Sequence, residues 1–414
     1  MHIMGEILSK ILITALAGML VLVAFLWLGP SIYGITFGED NTYINFNQTV
    51  FEDGYYYLAG SKAKPKSPEK SNAYLLKVNE AGEEIWDKEL NSLGIDKFYA
   101  IEKTEDNNLL LAGYQSDYLA NNNSYLTKIT PDGDVKWELK LEDEYDSLFY
   151  DIVETEDSYF LAGMTRGSDV NNSSGVLVEV DKSGNKTNFS TYDKGQGVKF
   201  KSLTKLDDQL VLAGEYLDDN YQQHGYYVKT EQSSEMISEH EIKDINQPMT
   251  IADIMYSNES LIIAGTVNSN LKGRTAYLTK HDLEGNKVWS HTLDNSENDY
   301  QFNALDVIDN QIVVAGKKYE PGLISSVAFS SEMSQVMMDN AYAAMYDLDG
   351  GLLWEETYRA QESGGYYDVS IFDQDHLILT GELGDFKGRK KGYLNRIDLS
   401  GESIPFEIQD VDIF

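Results

Sequence analysis

Apolar residues fall along this chain in short runs parted by polar turns, and a single long run stands apart from them. From Ile11 to Gly29 the sequence ILITALAGMLVLVAFLWLG carries no charge. As a helix rising ~1.5 Å per residue it would measure about 28 Å, enough to span a bilayer core. Lys10 precedes it, Pro30 ends it, and no further basic residue comes before Lys62, so the positive-inside rule leaves the N-terminus in the cytoplasm. The runs that follow have another rhythm. A short apolar stretch closing on a small residue and Gly recurs as YYYLAG, LLLAG, YFLAG, LVLAG, LIIAG, IVVAG and LILTG, ending at Gly60, Gly113, Gly163, Gly214, Gly265, Gly316 and Gly381. The spacings are 53, 50, 51, 51, 51 and 65 residues, a period that marks structural repeats.

Each copy has the same surroundings. A strand-like segment and a polar turn lie upstream; a variable loop and a second apolar strand lie downstream, as in AYLLKV, SYLTKI, AYLTKH and GYLNRI. A tight turn follows, then a strand that carries Trp86, Trp137, Trp289 or Trp354 four residues beyond the turn glycine. The unit is therefore four strands, a to d, joined by turns. Apolar residues at consecutive positions of strand b require burial on both faces, which a blade between two neighbours supplies. The predicted fold is all-β: a seven-bladed β-propeller over residues 43–414, with the tryptophans as packing between blades. The boundaries expected are a cytoplasmic stretch 1–10, a transmembrane signal anchor 11–29, a linker 30–42, and an insertion at 320–340 in the sixth blade. Ile404 to Phe414 is expected to serve as the last d strand, closing the ring without an exchanged strand.

The recurring apolar-Ala-Gly, YLxK and Gly-x-x-x-Trp pattern resembles the secreted quinoprotein-like β-propeller repeats, over roughly residues 41–414. That resemblance implies a propeller and an exported protein. The family extends from quinone-dependent dehydrogenases to assembly scaffolds, and the former use an adjacent cysteine pair and a calcium site. This chain has no cysteine, so the resemblance is to the non-catalytic type, with no cofactor implied.

Charge narrows the partners. With 33 Lys+Arg against 68 Asp+Glu the formal charge is −35, which repels nucleic acid over any broad face. Disulfides and cysteine nucleophiles are excluded, and the six histidines show no metal-ligand spacing. Turns such as Asp347–Gly351 and Thr130–Asp134 lack the calcium-loop pattern and fit hairpins. They also miss a sialidase Asp-box, because Asp132 adjoins Gly133 directly. No catalytic constellation emerges.

Two surface features remain. Lys62, Lys64, Lys66 and Lys70 in blade 1 and Lys387, Arg389, Lys390 and Lys391 in blade 7 would meet across the closed ring as a basic seam for an acidic partner or headgroups. The blade 6 insertion carries Leu323, Ile324, Val327, Phe329, Met333, Val336, Met337 and Met338, an adaptable apolar surface suited to a protein partner. A short helix capped by Ser330 or Ser331 is expected to present Met333, Val336 and Met337. The leading expectation is a membrane-anchored, extracytoplasmic (periplasmic or cell-surface) interaction module in a larger assembly, partnered by the bilayer through residues 11–29. The alternatives are a glycan or small-ligand module using the central channel, and a cofactor-dependent dehydrogenase or hydrolase.

Overall fold

The chain divides into two compact units, Met1–Tyr33 and Gly34–Phe414. The computed structural model describes residues 34–406, apart from segments 40–41, 65–66, 91–93, 117–120, 142–145, 168–171, 244, 246, 270–272, 294–298, 323–335, 359–362 and 385–389. The expected membrane span, residues 11–29, lies outside the described residues, among which no helix is long and apolar enough to cross a membrane.

The second unit is a seven-bladed propeller of four-stranded antiparallel sheets. Blade 1 starts at Tyr43, with strands Tyr43–Glu52, Tyr55–Lys64, Ser67–Asn79 and Glu84–Leu90. Blades 2 to 6 repeat that order. Strand b is buried throughout, as its unbroken apolar sequence requires: Tyr56, Leu58, Leu110, Leu161, Leu212, Ile263, Val314 and Leu379 are all wholly enclosed. Polar turns join the strands, and their acids are spent locally. Asp181, Asp282, Asp347 and Asp398 each accept the amide four residues on, at 2.9, 2.7, 2.7 and 3.0 Å, so the Asp347–Gly351 segment is a hairpin turn.

The repeat glycine has a specific cause. In every a strand the register shifts beside it, between Phe46/Gln48, Phe98/Ala100, Phe149/Asp151, Phe200/Ser202, Ile251/Asp253, Phe302/Ala304 and Tyr366/Asp368. Seven β-bulges thus stand at equivalent places, each inserting one unpaired residue. The bulge drives an a-strand carbonyl toward strand b, where a Cβ on Gly60, Gly113, Gly163, Gly214, Gly265, Gly316 or Gly381 would collide with the carbonyl of Asn45, Lys97, Leu148, Lys199, Thr250, Gln301 or Gly365. The bare glycine also lets flanking rings close over it. Phe46, Phe98, Phe200, Phe302 and Tyr366 stack on Tyr74, Tyr125, Tyr226, Tyr342 and Tyr393 of their own c strands, centroids 5.8–6.4 Å apart. The tyrosine of the YLxK phrase is therefore half of a ring pair across strand b.

The tryptophans pack between blades. The turn glycine of the next blade lies over each ring: Gly133 over Trp86, Gly184 over Trp137, Gly350 over Trp289 and Gly401 over Trp354. Trp289 and Trp354 donate Nε1–H to the carbonyls of Leu348 and Leu399 at 3.0 and 2.7 Å.

Closure of the ring differs from expectation. The outer strand of blade 7 comes from the other end of the chain: Ile35–Phe37 pairs antiparallel with Lys390–Asp398, in the register Ile35↔Leu394, Thr36↔Tyr393, Phe37↔Gly392. The ring is closed by an exchanged strand, and residues 35–37 of the expected linker are part of blade 7. Ile35 takes the place of a tryptophan beside Gly82, and Phe37 is 3% exposed against Phe46. Ser403 makes a single bridge to Ile397, and Ile404 to Phe406 form no strand; residues 407–414 lie outside the described residues. Ile35-Thr-Phe37 alternates inward and outward as an edge strand must.

Candidate functional site: the central channel

Strand a is the inner edge of every blade, so its unpaired residues line the axis. The bulges place Asn47, Tyr99, Tyr150, Lys201, Ala252, Asn303 and Tyr367 there, one from each blade, around a cavity of about 360 Å³ that Lys97, Thr250 and Gln301 also line. Asn47 and Asn303 are held by donating their amides to the Phe98 and Tyr366 carbonyls of the next blade, at 2.5 and 2.6 Å. Tyr99 and Tyr150 lie with ring centroids 4.8 Å apart.

Below this ring, a second layer joins neighbouring blades. An inner-edge strand leaves amide N–H groups without a ladder partner, and buried amides need acceptors. The acceptor in each case is a side chain of the preceding blade. Gln48 accepts from Ile101, Asp151 from Leu203, Ser202 from Ile254, Asp253 from Leu305, Asp306 from Ile371 and Asp368 from Thr49, at 2.7, 2.7, 3.2, 2.9, 3.1 and 2.8 Å. The last of these crosses the closure seam. Blades 2 and 6 carry Ala100 and Ala304 at the usual position and supply the acid two residues later, as Glu102 and Asp306; the Glu154 amide bonds to Glu102. Burial pushes these carboxyls up: Asp151, Asp306 and Asp368 to about 7 and Glu102 to about 8, with Asp253 raised as well. The Asp253 carboxylate adds to the rise at Asp151.

Above the bulge ring the channel is cationic. Desolvation lowers Lys97 to about 8, with Glu382 opposing the fall and Lys390 adding to it. Among the described residues its ammonium has no carboxylate within ion-pair distance and no hydrogen-bond acceptor; it sits 4.9 Å from the Tyr99 ring centroid. Lys201 and Lys199 share Glu215 at 3.0 and 3.9 Å. Lys390 and Lys317 share Glu382 at 2.6 and 3.9 Å, and Tyr367 donates to the same carboxylate at 2.9 Å. Burial lowers both Lys199 and Lys317, whereas Glu382 is lowered mainly by Lys390 against its own burial.

The residues singled out by sequence fare differently. Of the expected basic seam, Lys390 joins the channel cluster and Lys391 is half-buried opposite Leu383. Lys62 turns instead to its own blade's outer strand, pairing with Asp87 and Glu89 at 3.1 and 2.9 Å. Lys64 and Lys70 are exposed; Lys66, Lys387 and Arg389 lie outside the described residues. In the blade 6 insertion Leu323, Ile324, Val327, Phe329 and Met333 also lie outside them. Val336, Met337 and Met338 do not belong to the expected helix: they begin strand c, opposite Gly322, Pro321 and Glu320, so that strands b and c of this blade each run twelve residues. Sequence reading passed over the channel residues. Their signal was an aromatic or Ile followed two places on by Asp, Gln or Ser, recurring at the repeat period, with the bulge residue between.

No protein family and no curated protein matches the chain. Among solved structures it is similar to a mutant puromycin hydrolase at a TM-score of 0.54 and 11% identity, over 91% of this chain and 55% of that one. It is also similar to the WD40 β-propeller domain of Doa1, at 0.50 and 9% over 86% and 94% of the two chains. Extracellular domains 1–2 of Drosophila Semaphorin 1b match at 0.50 and 8%, over 90% and 86%. At such identities the likeness is one of fold, and that fold is the β-propeller.

Proposed function

We propose that this chain is a membrane-anchored, extracytoplasmic recognition subunit without catalytic chemistry of its own, which takes a small polar ligand in its central channel and serves a larger assembly. The observation that carries the reading is the convergence of all seven inner strands on one cavity lined by amides, phenols and lysines, the mix of apolar walls and few placed polar groups that suits small-ligand sites. The acids beneath it are engaged with backbone amides across the blade seams, which supports a binding role over acid–base catalysis. Anchoring rests on the uncharged run from Ile11 to Gly29, and kinship with the non-catalytic quinoprotein-like repeats rests on their shared Ala-Gly, YLxK and Trp phrases.

Ala252 has the smallest side chain in the bulge ring, so Ala252→Trp fills the cavity without touching the blade seams. A saturation-transfer screen of small polar metabolites against the full chain should find binders that this variant loses while its melting stays cooperative. Binders retained by Ala252→Trp would place recognition elsewhere. The scaffold reading draws on the lengthened blade 6 hairpin, which sets Met337 and Met338 at the loop end of twelve-residue strands. Exchange of Met333, Val336 and Met337 for Asp should then remove partners from a mild-detergent pull-down; unchanged co-purification would sink that part.

A further inference from the structure

We infer that the ligand of the central channel is a small oxyanion, a carboxylate or a phosphate, bound by Lys97 with the hydroxyls of Tyr99 and Tyr150. The inference rests on the channel being the binding site and goes on to name the chemistry that it selects.

The argument begins with an imbalance. The chain as a whole carries −35, yet Lys97 and Lys201 line the cavity, and Lys199, Lys201, Lys317 and Lys390 cluster on Glu215 and Glu382, with Asp339 at 3.6 Å from Lys317. Four of these lysines have a carboxylate within 4 Å; Lys97 has none among the described residues. A lysine withdrawn from water without a counterion is unfavourable, and an anion beside it restores what burial removes. The neighbouring groups fit that role. Tyr99 and Tyr150 line the same cavity, and among the described residues neither hydroxyl has a hydrogen-bond partner, so both are free to donate. Burial raises both phenols far above their ordinary range, so they remain protonated donors. One ammonium and two O–H donors around one space recognise an oxygen-bearing anion; the ammonium would repel a cation, and an apolar ligand would leave all three groups unsatisfied. The cavity, about 360 Å³, admits a molecule of the size of a sugar acid or a small dicarboxylate.

Isothermal titration of the full chain in mild detergent with D-galacturonate, citrate and inorganic phosphate, beside neutral D-galactose, tests the idea. Binding of at least one anion, weakened about tenfold or more in Lys97→Met and unchanged in Lys205→Met, supports it, since loss of a charge-assisted bond is worth at least that factor. The choice between citrate or galacturonate and phosphate identifies the oxyanion. Lys97→Met removes an unpaired, half-buried charge, so its melting temperature should equal or exceed that of the parent, which separates lost binding from lost folding. Anion binding untouched by Lys97→Met overturns the inference. Binding of galactose alone overturns it too while leaving the channel as the site. No binding by any probe in a folded protein counts against both.

Discussion

Closure by the N-terminal strand makes a sharp prediction for Phe37. Only three residues, Ile35–Phe37, hold the outer edge of blade 7, so the ladder itself contributes little, about 0.5–1.5 kcal/mol per hydrogen bond. The side chain must supply the rest. Phe37 is 3% exposed, meets Phe46 edge-on at 5.9 Å, and packs with Ile44, Tyr56, Leu394 and Phe406. Phe37→Ala should therefore weaken docking of the strand by roughly 3–5 kcal/mol, as for other buried phenylalanines. Because that exceeds what the three-residue ladder returns, the strand should detach locally before the propeller melts. Amide hydrogen exchange reads this directly at those of Gly392, Tyr393 and Leu394 whose N–H points to the short strand: at about 3 kcal/mol, protection there falls on the order of a hundredfold. Phe406→Ala disturbs the same cluster from the other terminus but leaves the ladder in place, so those amides should stay protected. If Phe37→Ala left exchange at 392–394 unchanged while Phe406→Ala accelerated it, the C-terminal segment would be the closing element and the reasoning would fail.

Other consequences follow from the same geometry. Gly214→Ala drives a methyl into the Lys199 carbonyl and should destabilise by about 1–3 kcal/mol in urea titration; a neutral result would refute the bulge explanation of the repeat glycine. Trp354→Phe leaves the Leu399 carbonyl without its donor, whereas Trp86 Nε1 has no partner in the first place, so Trp354→Phe should cost about 1–2 kcal/mol more than Trp86→Phe by thermal melting. The raised carboxyls fix the sign of a pH effect. Asp151, Asp306 and Asp368, lifted to about 7, bind protons in the folded state that the unfolded chain has already released, so their contribution is complete below about pH 4 and is lost as pH rises through 7. Urea midpoints should fall between pH 5 and 8, and Asp368→Asn, neutral throughout, should flatten that slope; an unaltered slope would mean that Asp368 ionises normally.

Much of this architecture was legible because packing imposes it seven times. The Ala-Gly phrase, the tyrosine of strand c and the turn-glycine-to-Trp spacing each answer one recurring contact, and the period exposed all three. Closure was not legible, since an exchanged strand of three residues has no repeat of its own and its partner, Lys390–Asp398, lies at the other end of the chain. The basic seam was read from the b–c loops of blades 1 and 7, neighbours once the ring closes, but the local pairing decides where each side chain reaches: Lys62 to Asp87 of its own outer strand and Lys390 to Glu382. The expected helical placement of Val336 and Met337 failed for a related reason, because the register of a neighbouring strand, absent from any local pattern, carries Val336 to Met338 into a hairpin.

The acids show where repetition stops being informative and variation takes over. With 68 of them in the chain, a lone carboxylate says nothing, yet the seam layer keeps an acceptor at every junction even where Ala100 and Ala304 displace it by two residues. That layer is constrained by unpaired amides and so stays nearly uniform. The bulge layer directly above is different. The same backbone geometry presents Asn47, Tyr99, Tyr150, Lys201, Ala252, Asn303 and Tyr367, seven equivalent positions occupied by four residue types. Packing alone does not require such variety: Asn47 and Asn303 bridge to the next blade with their amides, but the same position holds Tyr, Lys or Ala elsewhere on an alike backbone. A channel serving only to close a ring could carry one small polar residue seven times. The lysines add a direction: the two that line the cavity, Lys97 and Lys201, come from blades 2 and 4, and the phenols of Tyr99 and Tyr150 from blades 2 and 3. A seven-fold frame with a one-sided lining selects an orientation for what it holds, and orientation matters only to a ligand that is itself asymmetric.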